Sequence, residues 1–191
     1  MEWLKQYQVI LASKSPRRQQ LLKELGIDFS VEVAEVDEQY PEGLAMEEIP
    51  VYLARLKAKP FEGRLNDSQL VITADTIVWH KGKVLGKPTD EMEAAQMLNS
   101  LSDNEHQVVT GVCLKSVQKE KSFFSVSNVA FKKLTKDEIE YYITNYKPYD
   151  KAGAYGIQEW IGHIGVTHIE GSFFNVMGLP VQKLYMELQS F

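Results

Sequence analysis

Residues 8–26 read QVILASKSPRRQQLLKELG, and this stretch predicts a strand, a short turn and a helix in direct succession. Residues 8–12 form a short apolar run of the kind that a buried strand shows. Ser15 is suited to be the N-cap of a helix whose first residue is Pro16, where a missing backbone N–H is tolerated. Three leucines then supply an apolar helix face, and Gly26 is suited to end the helix.

The turn of this unit, Ser13-Lys14-Ser15-Pro16-Arg17-Arg18, is a candidate anion site. A helix N-terminus that follows a strand presents unpaired backbone N–H groups to a ligand. Arg17 and Arg18 oppose the helix dipole there, at about 0.3–1 kcal/mol each when exposed. A bound phosphate would remove that conflict, and the guanidinium fork suits phosphate oxygens. A solvated arginine pair neutralised by acidic residues elsewhere is the alternative, and both interpretations stay open.

The remaining pattern mixes helices and strands without a regular βαβ alternation, so we expect an α/β or α+β fold with a mixed sheet. A capping box, Thr135 with Glu138, marks one helix start. Residues 150–162 are interpreted as a loop, and the apolar residues Phe173, Phe174, Val176 and Met177 as core rather than as a cofactor box. Periodicity predicts helices near residues 46–59, 90–98, 136–143 and 181–188, and strands near 70–79, 84–88, 106–117, 122–131 and 166–169.

Asp75 is the candidate for acid–base chemistry. It closes the apolar run of residues 71–74, so a strand should hold its carboxylate rigidly. Carboxylates at strand ends are common metal ligands and general bases. A turn or N-cap aspartate is the usual alternative, but the apolar pattern resumes at Ile77, so no helix begins there to be capped.

Further charged residues could serve a polyanion or a metal ion. In the acidic cluster Glu35, Asp37 and Glu38, two carboxylates could converge on a hard divalent cation, although such runs are usually solvated. Lys57 and Lys87 lie beside apolar segments and could direct a charge at a phosphate chain. For each lysine the alternative is an exposed ammonium whose stem lies along the surface.

A glycine-rich segment, residues 150–158, could approach a ligand with its backbone. Gln158 at its end carries a paired donor and acceptor that could read the edge of a nucleotide base. A mobile surface loop is the alternative.

Composition sets broad limits on the function. The 191 residues include 21 Lys+Arg and 26 Asp+Glu, for a net charge of −5, and 44% are hydrophobic. These values disfavour a disordered chain and a nonspecific nucleic-acid binder. We expect no membrane helix, since no apolar run approaches about 20 residues. A lone Cys113 forms no internal disulfide or thiolate cluster, the histidines lack zinc-ligand spacing, and no signal peptide is apparent, so we expect a cytoplasmic protein.

Several short strings, in this order along nearly the whole chain, resemble the Maf family of nucleoside triphosphate pyrophosphatases. They are residues 11–18 (LASKSPRR), 55–59 (RLKAK), 74–76 (ADT), 86–88 (GKP), 150–158 (DKAGAYGIQ) and 178–180 (GLP). The resemblance implies a single domain over residues 1–191. Its fold would be α/β, related to inosine-triphosphate pyrophosphatases, with a mixed, strongly bent sheet, flanking helices and two lobes around a central cleft.

The resemblance also implies an activity. The family hydrolyses a nucleoside triphosphate to the monophosphate and pyrophosphate with a divalent metal cation, Mg²⁺ or Mn²⁺, and is cytoplasmic and often dimeric. The substrate would be a small nucleotide, with no nucleic acid or membrane as partner. The strings Ala-Asp-Thr and Tyr-Gly-Ile-Gln are similar to those of the dTTP/UTP branch.

Site residues follow by position in the motifs. Asp75 matches the catalytic proton acceptor, and Arg18, Thr76 and Gln158 match the positions associated with base choice. Glu38 matches a polar position of the cleft and is expected, with Asp75, to hold the metal. The remaining expected phosphate contacts are Ser13, Ser15, Arg17, Lys57 and Lys87. One departure is Glu159-Trp160, where the family has small residues.

Two other functions remain open from the sequence. The first is a house-cleaning hydrolase of modified nucleotides, for which dTTP and UTP are incidental. The second is a nucleotide-sensing regulator of cell division that does no hydrolysis. A rigid carboxylate at position 75 beside polyanion-binding arginines argues against a sensor, and a panel of triphosphates discriminates all three.

Overall fold

The computed structural model describes Leu4 and residues 6–191, which form seven strands and seven α-helices. The strands are β1 (Gln8–Leu11), β2 (Phe29–Val31), β3 (Gln69–His80), β4 (Lys83–Leu85), β5 (Glu105–Lys115), β6 (Glu120–Phe131) and β7 (Val166–Glu170). The helices are α1 (Pro16–Glu24), α2 (Glu48–Ala58), α3 (Glu91–Leu101), α4 (Lys136–Tyr146), α5 (Trp160–Gly165), α6 (Phe173–Met177) and α7 (Val181–Gln189).

The strands join in one mixed sheet. Its order is β2-β1-β3-β5-β6-β7, with β4 paired to β3. Strand β1 is parallel to both β2 and β3, whereas the pairs β3–β4 and β6–β7 are antiparallel. Parallel pairs need a crossover connection, and α1 supplies the one from β1 to β2. The predicted mixed α/β sheet with flanking helices is therefore confirmed.

The chain divides into two compact units. Unit 1 comprises Met1–Asp75, Thr110–Ser125 and Gly178–Phe191, and unit 2 comprises Thr76–Val109 and Val126–Met177. The expectation of a single domain with two lobes around a cleft stays a prediction.

In unit 1, helix α2 packs unusually close to the sheet. A Cβ at Gly111 of β5 would stand 2.3 Å from the carbonyl carbon of Pro50 in α2, so this position admits only glycine without movement of the helix. Beside it, Ala54 and Ala58 of the helix pack on Cys113. Small side chains on both surfaces thus set the height at which the later turns of α2 cross the sheet.

In unit 2, an aromatic cluster packs β5 and β6 against residues 150–158. His106, Phe131 and Tyr155 meet edge to face, with ring centroids 5.0–5.4 Å apart. A Cβ at Gly153, whose φ is +69°, would come within 2.9 Å of the Val78 side chain. Because most of residues 151–157 are buried, the alternative of a mobile surface loop is wrong.

Other sequence predictions have mixed outcomes. The capping box at Thr135 and the buried position of Cys113 are confirmed. The loop predicted for residues 150–162 is wrong in part, because Ala152–Ala154 form a 3₁₀ turn and α5 begins at Trp160. The core assignment is wrong for Phe173 and Phe174, which are exposed on α6, but it is confirmed for Met177, which is buried. No helix in the described part of the chain is both long and apolar enough to cross a bilayer.

Candidate functional site

The predicted turn after β1 forms in unit 1. Ser15 is the N-cap of α1, and Pro16 is its first residue, as predicted. The Ser15 hydroxyl makes no capping bond; instead the Ser15 N–H donates to the buried Ser13 hydroxyl oxygen at 3.3 Å. Arg17 is partly buried at the second helical position. The turn is therefore held together by Ser13 rather than by a side-chain cap.

Arg18 is fixed beside this turn. Its Nε donates to the carbonyl oxygen of Gly178 at 2.8 Å, and its Nη1 to the Ser13 hydroxyl at 3.4 Å. Burial lowers the pKa of Arg18, and the nearby Asp75 carboxylate opposes that shift. Gly178 was not among the predicted site residues. Its φ of +116° shows why the position suits glycine, and the string GLP was the available signal.

Asp75 receives a cation from α2. Lys57 Nζ lies 2.6 Å from Asp75 Oδ1 and 3.1 Å from Glu38 Oε2, so one ammonium joins two carboxylates. The side chains of Lys57 and Asp75 are only 17% and 12% exposed. The Thr73 hydroxyl, two residues before Asp75 in β3, donates to the carbonyl oxygen of Ala54 at 2.6 Å. This bond ties α2 to β3 next to the ion pair.

The structure corrects the position of Asp75 in its strand. The end of the apolar run predicts a strand end at Asp75, but β3 continues without a break from Gln69 to His80. A carboxylate is tolerated at the centre of a buried strand because Lys57 neutralises it. The local rigidity expected of Asp75 is therefore supplied by the strand on both sides.

Only one member of the acidic cluster joins this site. Glu35 is exposed and lies 4.0 Å from the exposed Lys14, and Asp37 is exposed as well. Glu38 alone reaches Lys57. The sequence left open that two carboxylates of this cluster converge on a divalent cation, but only Glu38 faces the site, and its partner carboxylate there is Asp75.

The donor set of Glu38 and Asp75 suits a metal ion shared with a substrate. Within the described residues no group of three His, Cys, Asp or Glu side chains is arranged to hold a metal. Two carboxylates that converge on one ammonium do present oxygens to a common point. Mg²⁺ typically takes one or two carboxylates and completes its shell with water and phosphate oxygens.

The other predicted site residues lie in unit 2: Thr76, Lys87 and Gln158. There the segment that carries Lys87 contacts residues 150–158. The Gly153 N–H donates to the Gly86 carbonyl oxygen at 3.0 Å, which joins residues 150–158 to the segment that carries the exposed Lys87. Gly153 also packs on Val78, two residues after Thr76 on β3. Through Gly153, the motif at residues 150–158 therefore contacts both β3 and the motif at residues 86–88.

Gln158 lies beside residues to which the sequence pattern assigns no functional role. Its amide oxygen is buried and has no hydrogen-bond partner among the described residues. Next to it, Glu159 accepts a hydrogen bond from Tyr142 and pairs with the buried Lys151. The departure of Glu159 from the resembled pattern was the signal that could have directed attention here.

Solved structures give a weak likeness. The Ham1 protein of Staphylococcus aureus is 18% identical, covers 65% of this chain and 71% of its own, and has a TM-score of 0.45. A structure described as a nucleoside-triphosphatase / dITP/XTP pyrophosphatase from Mycobacterium abscessus is 16% identical, covers 66% of this chain and 75% of its own, and has a TM-score of 0.40. At such scores the fold assignment rests on the sheet itself.

Sequence relatives are far closer. Proteins named dTTP/UTP pyrophosphatase from Parabacteroides distasonis and Bacteroides fragilis are 56% and 54% identical, over 100% and 97% of both chains. One of the same name from Flavobacterium johnsoniae is 52% identical over 96% of this chain and 95% of its own. The family model described as Maf-like protein matches residues 8–191. With a full-length match of this kind, the chain belongs to the family of Maf-like proteins.

Proposed function

We propose that this protein is a nucleoside triphosphate pyrophosphatase that hydrolyses dTTP and UTP to the nucleoside monophosphate and pyrophosphate. Relatives that carry the name dTTP/UTP pyrophosphatase align with it from end to end at 52–56% identity. The observation that carries the proposal is the cluster in unit 1. There the positive charges of Arg18, which is held by Gly178, and of Lys57 lie near the carboxylate of Asp75.

In this proposal the turn before α1 holds phosphate oxygens. Ser13 and Ser15 provide hydroxyls, the first turn of α1 provides N–H groups, and Arg17 and Arg18 provide guanidinium groups. Arg18 needs no reorganisation to do this, since Gly178 and Ser13 already fix its orientation. A preorganised cation stabilises developing negative charge without a further ordering cost at the moment of reaction.

The chemical step is an attack of water on the α-phosphorus. The water oxygen forms the new P–O bond, the bond from the α-phosphorus to the bridging oxygen breaks, and pyrophosphate leaves with that electron pair. Asp75 accepts the proton of the attacking water or orients that water for attack. Lys57, displaced from the carboxylate towards the phosphates, then offsets their charge together with Lys87.

We also propose a divalent cation, Mg²⁺ or Mn²⁺, held by Glu38 and Asp75 and by the substrate. The convergence of both carboxylates on Lys57 supports this assignment. When bound, the ion polarises the phosphoryl oxygens and lowers the pKa of a coordinated water.

Thr76 and Gln158 form hydrogen bonds with the pyrimidine edge in this proposal, and Arg18 contributes to base choice. A site that depends on such bonds rejects a base that leaves its polar groups unpaired.

The test is a panel of canonical and modified triphosphates incubated with the purified protein and Mg²⁺ or Mn²⁺. Pyrophosphate and orthophosphate are measured separately. We expect pyrophosphate to appear fastest from dTTP and UTP, and chelation by EDTA to stop its release. Release of orthophosphate alone, or no release from any nucleotide, would contradict the proposal, and faster turnover of a modified nucleotide would reassign the substrate.

We further propose that the protein acts in the cytoplasm as a homodimer on a free nucleotide and not on nucleic acid. The acidic balance and the single buried cysteine support the setting. The dimer follows the family resemblance, and light scattering of the purified protein measures it directly.

A further inference from the structure

The side chain of Glu159 is held from two directions in unit 2. Tyr142 Oη donates to Glu159 Oε2 at 2.5 Å, and Lys151 Nζ lies 3.1 Å from Glu159 Oε1. Lys151 is itself only 8% exposed and also pairs with Asp150 Oδ1 at 2.7 Å. Burial and, after it, the Glu159 carboxylate raise the pKa of Tyr142, so its hydroxyl remains a donor.

The same tyrosine fixes the backbone just before Gln158. The Gly156 N–H donates to Tyr142 Oη at 3.0 Å. The Glu159 N–H in turn donates to the Gly156 carbonyl oxygen at 3.0 Å. The residues on either side of Ile157-Gln158 thus both bond to the buried Tyr142 hydroxyl. Gly156 does so through its backbone N–H, and Glu159 through its carboxylate.

Gly156 shows how tightly these side chains pack. A Cβ there would lie 2.9 Å from Gln158 Nε2, 2.9 Å from Glu159 Cδ and 3.0 Å from Lys151 Cε. The Gln158 amide thus rests against the same glycine as the ion pair does. The ion pair and the Gln158 amide therefore enclose the same small space above the Gly156 Cα.

Orientation matters for an amide because its two ends are nearly the same shape. Uracil and thymine present an N3–H donor beside the O4 acceptor, whereas cytosine presents an N3 acceptor beside an N4 amino donor. An amide that rotates by 180° satisfies either edge, and an amide that is held satisfies only one. The buried Gln158 oxygen, which has no partner among the described residues, is the acceptor that an N3–H would satisfy.

We propose that Glu159, held by Tyr142 and Lys151, is a positioning residue that fixes the orientation of the Gln158 amide and thereby sets the preference for uracil and thymine over cytosine. The inference rests on the proposed function, because it assigns the base-reading role to Gln158. Glu159 itself touches neither base nor phosphate.

The test compares kcat/KM for UTP and CTP in three variants of the full chain. Glu159→Gln keeps an acceptor for Tyr142 but removes the charge that pairs with Lys151. Tyr142→Phe keeps the ring and removes both hydrogen bonds. The matched control is Glu138→Gln in α4, whose carboxylate pairs with Lys132 at 2.6 Å and is 25% exposed, against 21% for Glu159.

We expect Glu159→Gln and Tyr142→Phe each to lower the UTP:CTP ratio of kcat/KM by about ten- to a hundredfold, the range produced by a small misplacement of a binding group. The turnover number for UTP should change much less. Glu138→Gln should leave the ratio unchanged even where it lowers the melting temperature. An unchanged ratio in folded Glu159→Gln or folded Tyr142→Phe, or an equal change in the control, overturns the inference.

A binding measurement separates this inference from the proposed function. Calorimetric titration with UMP and CMP reports base preference without any turnover. If the wild-type protein releases no pyrophosphate from UTP, the proposed function fails, and the UMP:CMP affinity ratio in the variants still decides the role of Glu159. If pyrophosphate is released but Glu159→Gln and Tyr142→Phe keep the wild-type affinity ratio, only the positioning role fails.

Discussion

Lys57 occupies the position that decides how the unit-1 site works. Its ammonium joins the carboxylates of Asp75 and Glu38, and Arg18 adds a second positive charge near both carboxylates. An ordinary aspartate is a weak base near neutrality, so the proposed role of Asp75 needs a cation that polarises the attacking water.

Replacement of Asp75 by asparagine should abolish turnover. The amide keeps the shape of the side chain but neither accepts a proton nor completes a cation site, so kcat should fall by about 10²–10⁴-fold. Pyrophosphate release measures the loss, and circular dichroism checks the fold. Asp67→Asn, at an exposed position in the turn before β3, is the control and should retain wild-type turnover. Near-wild-type release by Asp75→Asn would remove this residue from the chemistry.

His106 should make the protein sensitive to acid. Burial lowers the pKa of His106 from 6.5 to about 3, and His80 nearby adds to the shift. Between those two values the unfolded chain binds a proton that the folded chain does not, so stability is lost as the pH falls from about 6.5. At pH 5 the loss attributable to this group is about 2 kcal/mol.

The measurement is urea unfolding at pH 7 and pH 5. His106→Gln, which retains a polar partner for the Tyr155 hydroxyl, should lose less free energy of unfolding between the two pH values than wild type does. His163→Gln, at an exposed position, should behave as wild type does. An equal loss in His106→Gln and wild type would show that other groups carry the acid sensitivity.

At the scale of elements, α2 and β3 matter most, because they bring Lys57 to Asp75. The two residues are 18 positions apart in the chain and meet only because α2 lies low on the sheet. Gly111 permits that approach, and the Thr73 hydroxyl bonds to the helix backbone. The distance between α2 and the sheet therefore determines whether Lys57 reaches Asp75.

Gly111→Ala tests this dependence. The added methyl group would meet backbone atoms of Pro50 and Val51 at 2.3–2.4 Å, so α2 must move. We expect a loss of about 1–3 kcal/mol in the free energy of unfolding, together with a lower kcat. Gly86→Ala, where a Cβ would meet nothing within 4 Å, should leave the free energy of unfolding unchanged and serves as the stability control. If Gly111→Ala is measurably destabilised but keeps the wild-type kcat, activity does not depend on the distance of α2 from the sheet.

Elements with a strong local signature could be predicted from the sequence. The capping box at Thr135 and the Ser15-Pro16 helix start lie where the pattern placed them. Helix α5 was missed because Gly162 and Gly165 are poor helix formers. Tertiary contact explains at least the first: a Cβ at Gly162 would fall 1.8 Å from the Ile157 carbonyl oxygen.

The sequence predicted which residues belong to the site, but not which of them form ion pairs with one another. Each candidate in unit 1 stood in a recognisable string, yet nothing local indicates that Lys57 pairs with both Asp75 and Glu38. Glu35 and Asp37 were grouped with Glu38 because they are sequence neighbours, and neighbours on an irregular segment need not face one way. Side-chain direction there is set by tertiary contacts that a pattern does not contain.

At the scale of the whole molecule, charge is the governing quantity. A net charge of −5 repels a triphosphate, which carries about four negative charges near neutrality. Binding must therefore depend on local cations, of which unit 1 presents Arg17, Arg18 and Lys57. A nucleotide that binds only the folded state should raise the melting temperature accordingly.

An α,β-imido analogue of UTP, which resists cleavage, makes this measurable. At a hundred times its dissociation constant it should add about 2.7 kcal/mol, a rise of roughly 5–10 °C for a chain of this length. EDTA should reduce the rise, and the CTP analogue at the same concentration should produce a smaller one. A rise that is equal for both bases and unaffected by EDTA would contradict base recognition and the divalent cation together.

The chain has one cysteine, and it lies directly beneath α2. Burial raises the pKa of the Cys113 thiol, so alkylating reagents meet neither an accessible sulfur nor a thiolate while the helix stays in place. The rate at which iodoacetamide labels the native protein therefore reports how often the segment that bears Lys57 lifts from the sheet, and no engineered probe is needed to follow it.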